Sequence, residues 1–168
     1  RKLLEMMIDS SDLLPMAEDL GTIPKEVFSV LKNLGICGTK VMRWEKKENE
    51  FTPLNAYEPI SMTTLSTHDM EPLELWWKKY PIEAAHFAHF LKIDYEPNLN
   101  ANNRLTLLRA SHQTTSLFHI NPLQEYLALF PELVSLNPEE ERINYPGTFL
   151  PQNWTYRFRP KVEEIAFH

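Results

Sequence analysis

The sequence predicts an α/β fold built on a parallel sheet, and three observations lead there. Short apolar or β-branched runs alternate with segments whose apolar residues recur at i, i+3, i+4 and i+7. Prolines 24, 72 and 122 stand where three of those helical segments open, a position at which a missing N–H costs little. A chain of 168 residues that is 43% hydrophobic and 11% aromatic also has enough apolar surface for a sizeable core.

At the start, "RKLLEMMIDSSD" reads as the tail of a helix already under way, so the chain is expected to be a fragment of a longer one. Leu13, Leu14 and Met16 form a short apolar run before Gly21, the first expected strand. Pro24 then opens a helix with Val27, Val30, Leu31 and Leu34 on one face, and Gly35 supplies the stop. "GTKVMRW", Gly38 to Trp44, is the second strand, and the polar stretch "EKKENEFTPLNAYEP" after it reads as a surface loop. "ISMTTLSTHD" is the third strand. Pro72 follows and opens a helix with Leu73, Trp76, Trp77 and Tyr80 on one face, continued by Ala84, Phe87, Ala88 and Leu91. Glu96 to Leu105 is a turn-rich break before a helix that runs to His112. Thr115 to Asn121 is the fourth strand, "PLQEYLALF" a short helix, and the proline-punctuated remainder is expected to be irregular.

A formal net charge of −6, with no block of like charge, argues against nucleic acid or an anionic membrane surface as a partner. No apolar run approaches the roughly 20 residues needed to span a bilayer, and no signal segment opens the chain. The single cysteine, Cys37, can form neither an internal disulfide nor a C-x-x-C site. It is expected to be a small buried residue, in a protein of a reducing compartment such as the cytoplasm.

In parallel sheets functional groups collect at the carboxyl ends of the strands. Those ends carry Glu18 and Asp19, then Arg43 to Glu45, then His68 and Asp69, and finally Asn121. The ionisable ones would converge on one rim if the sheet closed into a barrel. Spacing leaves a second reading open, because acidic residues ahead of a helix favour its dipole and cap its free N–H groups. A histidine near a strand end can equally be a hydrogen-bonded structural residue. No third ligand stands beside His68 and Asp69 at metal-binding spacing, and Ser66 lies in no Gly-x-Ser-x-Gly turn. Trp76, Trp77 and Tyr80, at helical spacing, read as core, whereas Trp154 and Tyr156 in "QNWTYRFRP" are as free to meet a ligand as to pack.

The ordered set "AEDLG", "GTKVMRWE", "TLSTHDMEPLELWW" and "RINYPGTFLPQNWTYR" resembles the 4-α-glucanotransferases, also called amylomaltases or disproportionating enzymes, over nearly the whole chain. These are relatives of the α-amylases. The resemblance implies a (β/α)8 TIM barrel, of which residues 1–168 would be a single catalytic-domain fragment covering about strands 5–8 and the C-terminal tail. It implies that Glu18, after the fifth strand, is the general acid/base. Asp69, after the seventh, would be the third acid, bonding the sugar in the −1 subsite and stabilising its oxocarbenium-like state, with His68 as a sugar-hydroxyl partner. Asn153, Trp154 and Arg157 would line acceptor subsites, while Asp19 keeps a structural reading, orienting its loop or capping the helix at Pro24.

The family's nucleophilic aspartate belongs to an Arg-x-Asp motif after the fourth strand, and no such motif precedes Glu18 here. The isolated chain is therefore expected to be inactive and to associate with the missing N-terminal half. No cofactor or metal is implied. The implied activity, in starch or glycogen metabolism, is transfer of α-1,4-glucan segments between maltooligosaccharides by a retaining double displacement. A glucan-binding fragment without turnover and an α-amylase-like hydrolase are the alternatives.

Overall fold

Every strand of the main sheet runs parallel, as the alternation of strands and helices requires. The structure, a computed structural model, describes residues 1–166, so the last two positions of the expected 1–168 domain lie outside the described residues. Two compact units are present: Arg1–Thr64 with Gln113–Ile120, and Leu65–His112 with the chain from Asn121 onward.

In the first unit β1 (Met16–Ala17), β2 (Cys37–Val41), β5 (Ser61–Thr64) and β6 (Phe118–His119) lie side by side in that order. The register pairs Met16 with Cys37, Gly38 with Ser61 and Met62 with Phe118. The central strand β2 is enclosed on both faces, which explains why its sequence lacks a clean polar alternation. On β5 the alternate residues Ser61 and Thr63 meet Ser116 and Thr114 in a buried hydroxyl cluster with oxygen separations of 2.6–2.9 Å. Each hydroxyl both donates and accepts, so the cluster is tolerated where bare polar groups would be costly. Cys37 is fully buried, as expected, and burial pushes its thiol above the ordinary range, which keeps it an inert packing residue.

Helix α1 (Lys2–Asp9) buries none of its residues, and Leu3, Met6 and Met7 on it are exposed. The first strand is shorter than its apolar run suggests: Leu13 and Leu14 are exposed, and pairing starts only after Pro15, which has no N–H to give a ladder. Helix α2 (Lys25–Asn33) ends as its glycine predicts. Gly35 takes a φ of +66°, its N–H donates to the Lys32 carbonyl, and the Ile36 N–H donates to the Leu31 carbonyl, the double bond of a Schellman stop. Pro24 stands one position outside α2, at the N-cap.

Several expectations are corrected here: of "ISMTTLSTHD" only Ser61–Thr64 is strand, and of Thr115 to Asn121 only Phe118–His119. The second strand does not reach Trp44: it ends at Val41, and Met42–Trp44 coil into a 3₁₀ turn that buries Arg43. The polar stretch after it is not a plain loop, since β3 (Lys46–Lys47) and β4 (Glu50–Phe51) pair as an antiparallel hairpin. Its two turn residues, Glu48 and Asn49, take φ of +51° and +71°, the pattern of a type I′ turn. That turn usually announces itself by glycine, and here it does not.

In the second unit the core is helical. Helix α3 (Leu73–Lys79) and helix α4 (Pro81–Phe90) carry the two apolar stripes read from periodicity, and Pro81, which offers no N–H, opens the first turn of the second. Trp76 and Trp77 are core residues, at 3% and 0% exposure, and Trp77 Nε1 donates to the Glu96 carbonyl at 2.8 Å. Tyr80, placed with them by spacing, stands at the break and is exposed. Helix α5 (Ala101–Ser111) begins inside the turn-rich stretch: the Asn100 side chain accepts from the Asn103 N–H, so the asparagines there cap a helix. Helix α6 (Leu123–Leu127), two 3₁₀ turns at Pro131–Leu133 and Pro138–Glu141, and α7 (Val162–Ile165) complete the unit. Among the described residues no helix is long and apolar enough to cross a membrane.

Candidate active site

The loop Leu65 to Pro72 carries His68 and Asp69, and three side chains of the second unit hold it. Asn121 Oδ1 accepts from the Leu65 N–H at 2.8 Å. Glu125 Oε1 accepts from Ser66 Oγ at 2.8 Å and from the Leu73 N–H at 2.9 Å, so one carboxylate oxygen grips both ends of the loop. Glu125 is in turn paired through Oε2 with Arg104 at 3.3 Å, and Arg104 reaches Glu74 at 2.6 Å. Asn144 is the third: its Nδ2 donates to Asp69 Oδ1 at 2.7 Å and its backbone N–H to the His68 carbonyl at 3.1 Å.

His68 Nε2 lies 3.5 Å from Asp69 Oδ1, with 41% and 38% of the two side chains exposed, so both reach solvent from a fixed loop. The Trp154 ring stands against His68, centroids 5.1 Å apart. Trp154 has a φ of +63°, rare for a bulky residue, and its N–H donates to the Ile143 carbonyl at 2.8 Å. Backbone strain of this kind persists only where the surroundings hold it, and it clusters at functional sites.

The Asn153 amide is engaged within its own loop. Its Oδ1 accepts from the Tyr145 N–H at 3.2 Å and its Nδ2 donates to the Thr148 carbonyl at 3.1 Å, closing the loop that joins Asn144 to Trp154. Arg157 is exposed and lines a cleft of about 410 Å³ with Arg142, Tyr145, Gln152 and Tyr156, a lining that includes neither His68 nor Asp69. Burial and the Glu141 carboxylate, which accepts from its hydroxyl, push the Tyr156 phenol up. Burial raises Glu71, but the hydrogen bond from Lys79 and the charges of Lys79 and Arg142 outweigh it and hold the carboxyl below the usual range.

In the first unit Glu18 follows β1 directly with its side chain exposed. Its neighbour Asp19 does not cap α2, whose N-cap makes no side-chain bond. Instead Asp19 Oδ1 accepts from the Thr39 N–H at 2.6 Å, tying the end of β1 to β2. Burial raises the Glu45 carboxyl just past the 3₁₀ turn that follows β2, with Lys40 opposing and Asp19 adding to the shift. A methyl group on Gly38 would stand 2.7 Å from Asp19 Oδ2. Gly38→Ala is therefore expected to displace Asp19 and leave the Thr39 N–H unpaired, costing about 1–3 kcal/mol in urea unfolding. In an Asp19→Ala background the same change should cost much less, and equal costs would sink the account.

A sequence model of the family described as 4-alpha-glucanotransferase matches residues 1–163. The chain belongs to the 4-alpha-glucanotransferase family. It is 46% identical over 170 residues to a 4-alpha-glucanotransferase of Chlamydia pneumoniae, covering 99% of this chain and 32% of that one. To the Chlamydia caviae protein of the same description it is 47% identical over 169 residues, with the same coverage. The chain thus spans about a third of the length of the curated relatives it matches. Among solved structures it is similar to the amylomaltase from Streptococcus agalactiae in complex with acarbose, with a TM-score of 0.72 and 23% identity, over 98% of this chain and 31% of that one. At that identity the likeness speaks to the fold alone. Neither Asn144 nor Glu125 stands out as a site residue in the sequence. An asparagine two residues ahead of a Pro-Gly pair reads as turn chemistry, and an acid in a short helix reads as its polar face. Only Glu125's burial, at 1% exposure, reveals its role.

Proposed function

We propose that this chain is part of an enzyme that transfers α-1,4-glucan segments between maltooligosaccharides by a retaining double displacement. The observation that carries the reading is the clamped His68–Asp69 loop with Trp154 against His68, in a chain of the 4-alpha-glucanotransferase family. In this reading the parallel strands, adjacent in chain order, supply strands 5–8 of a (β/α)8 barrel, within one catalytic domain. Exposed apolar residues on α1 and before β1 support association with a preceding part of the barrel. A lone buried thiol fits a reducing compartment such as the cytoplasm, and starch or glycogen breakdown would supply the substrates.

Glu18 donates its proton to the glycosidic oxygen as the bond from that oxygen to C1 breaks. A nucleophilic carboxylate, which no Arg-x-Asp motif ahead of Glu18 supplies here, forms the bond to C1 from the opposite face. Asp69 bonds the hydroxyls of the −1 sugar while charge develops on its ring, and His68 orients a neighbouring hydroxyl. In the second step the Glu18 carboxylate takes the proton of an acceptor 4-hydroxyl, which attacks C1 and releases the nucleophile. Trp154 offers an aromatic face to a sugar ring, Arg157 offers donors on the acceptor side, and Asn153 shapes the loop between them. Both steps use side chains alone, so no cofactor or metal takes part.

The test is the full-length gene product incubated with maltotriose. Glucose together with oligomers longer than the substrate is expected, with no net gain of reducing ends. Shorter products with rising reducing ends would make it a hydrolase, and binding of maltoheptaose without products would make it a glucan-binding protein.

A further inference from the structure

We propose that Asn144 is the positioning residue of the Asp69 carboxylate, deciding which of its two oxygens is left for the substrate. The inference rests on the reading of Asp69 as the third acid. Asn144 is 8% exposed, and its amide nitrogen holds Asp69 Oδ1 at 2.7 Å. His68 Nε2 approaches the same oxygen at 3.5 Å, while Oδ2 accepts no hydrogen bond among the described residues. An ionised carboxylate only accepts, so the Asn144 side chain must turn its nitrogen and not its oxygen toward Asp69. A rotation of the carboxylate would break that bond, and the free oxygen is thereby kept in one place before a sugar arrives.

Asn144 can act in this way because it is itself fixed. Its N–H donates to the His68 carbonyl and its carbonyl accepts from Arg142 Nη2 at 3.3 Å. Arg142 stands 3.3 Å from Glu71, and Glu71 2.9 Å from Lys79 on α3. The segment from Ile143 to Trp154 is closed at its neck by the Trp154 N–H to Ile143 carbonyl bond, and internally by Asn153. Such a compact closed loop carries its side chains as a unit. Its neck delivers both Asn144, to Asp69, and Trp154, to His68.

The test is steady-state transfer from maltotriose by the full-length gene product carrying Asn144→Ala, Asn144→Asp, Asn144→Ser or Asp69→Asn, with thermal unfolding of each. Asn144→Ala is expected to lower kcat about 10²-fold with KM little changed, because a misplaced group costs most in the transition state. Asn144→Asp keeps the shape and the backbone bond to His68 but sets a carboxylate against Asp69, so it should lose at least as much. Asn144→Ser, with a shorter donor, should recover part of the kcat that alanine loses. A fully active Asn144→Asp beside a weakened Asn144→Ala would mean that the residue only fills space, and normal kcat in both would overturn the proposal outright. Activity retained by Asp69→Asn would instead remove Asp69 from the mechanism, so the two failures are distinguishable.

Discussion

Replacing Glu18 by glutamine in the full-length gene product is expected to lower transfer from maltotriose about 10²–10⁴-fold, the share that a positioned proton donor contributes. Glutamine has the shape of glutamic acid but no proton to give to the leaving oxygen and no charge with which to take one from the acceptor. Because the Glu18 side chain is exposed beyond β1, the change should leave the unfolding midpoint where it was. A substrate whose leaving group needs no proton, such as α-maltosyl fluoride, should still be cleaved in the first step and then stall as the glycosyl-enzyme. Azide, a nucleophile that needs no base, should discharge it. Near-normal turnover of maltotriose by the variant would remove Glu18 from the mechanism.

The second large effect is on stability. Arg104→Met is expected to cost about 3–5 kcal/mol in urea unfolding, because it leaves the Glu125 carboxylate buried and uncompensated. Arg104 and Glu125 each have only 2% of the side chain exposed, and the pair cannot be relieved by water. The loss should also reach activity, since Glu125 Oε1 is the acceptor that grips Ser66 and Leu73 at the two ends of the His68–Asp69 loop. Glu125→Gln keeps an acceptor at that position and leaves Arg104 its bond to Glu74, so it should cost much less. An Arg104→Met protein as stable as the parent would show that Glu125 is held mainly by its neutral donors.

Part of the candidate site was legible in the sequence: Glu18 directly follows a strand and His68 and Asp69 stand ahead of a proline-led helix, but the strand read as reaching Asp69 ends at Thr64 and leaves both on a loop. What could not be read were partners distant in the chain. Asp69 and Asn144 are 75 residues apart in sequence, and Ser66 and Glu125 are 59 apart. Asp19 shows the same limit at shorter range: helix capping was open to it on spacing, yet its carboxylate bonds the Thr39 N–H of the neighbouring strand. Asn153, read as lining an acceptor subsite, also bonds Tyr145 and Thr148 within its own loop, a tie that spacing did not announce.

By itself the sequence determined the parallel α/β class, the helices that follow Pro24, Pro72 and Pro122, the stop at Gly35, the buried Trp76 and Trp77 and the family, since each follows from local propensity, periodicity or ordered motifs. Tertiary structure alone decided where β2 ends, how a glycine-free turn makes a hairpin, and which side chains hold Asp69 in place. The physical reason is that a buried donor or acceptor takes whatever partner folding brings within reach. That choice depends on the path of the whole chain and not on the residues beside it.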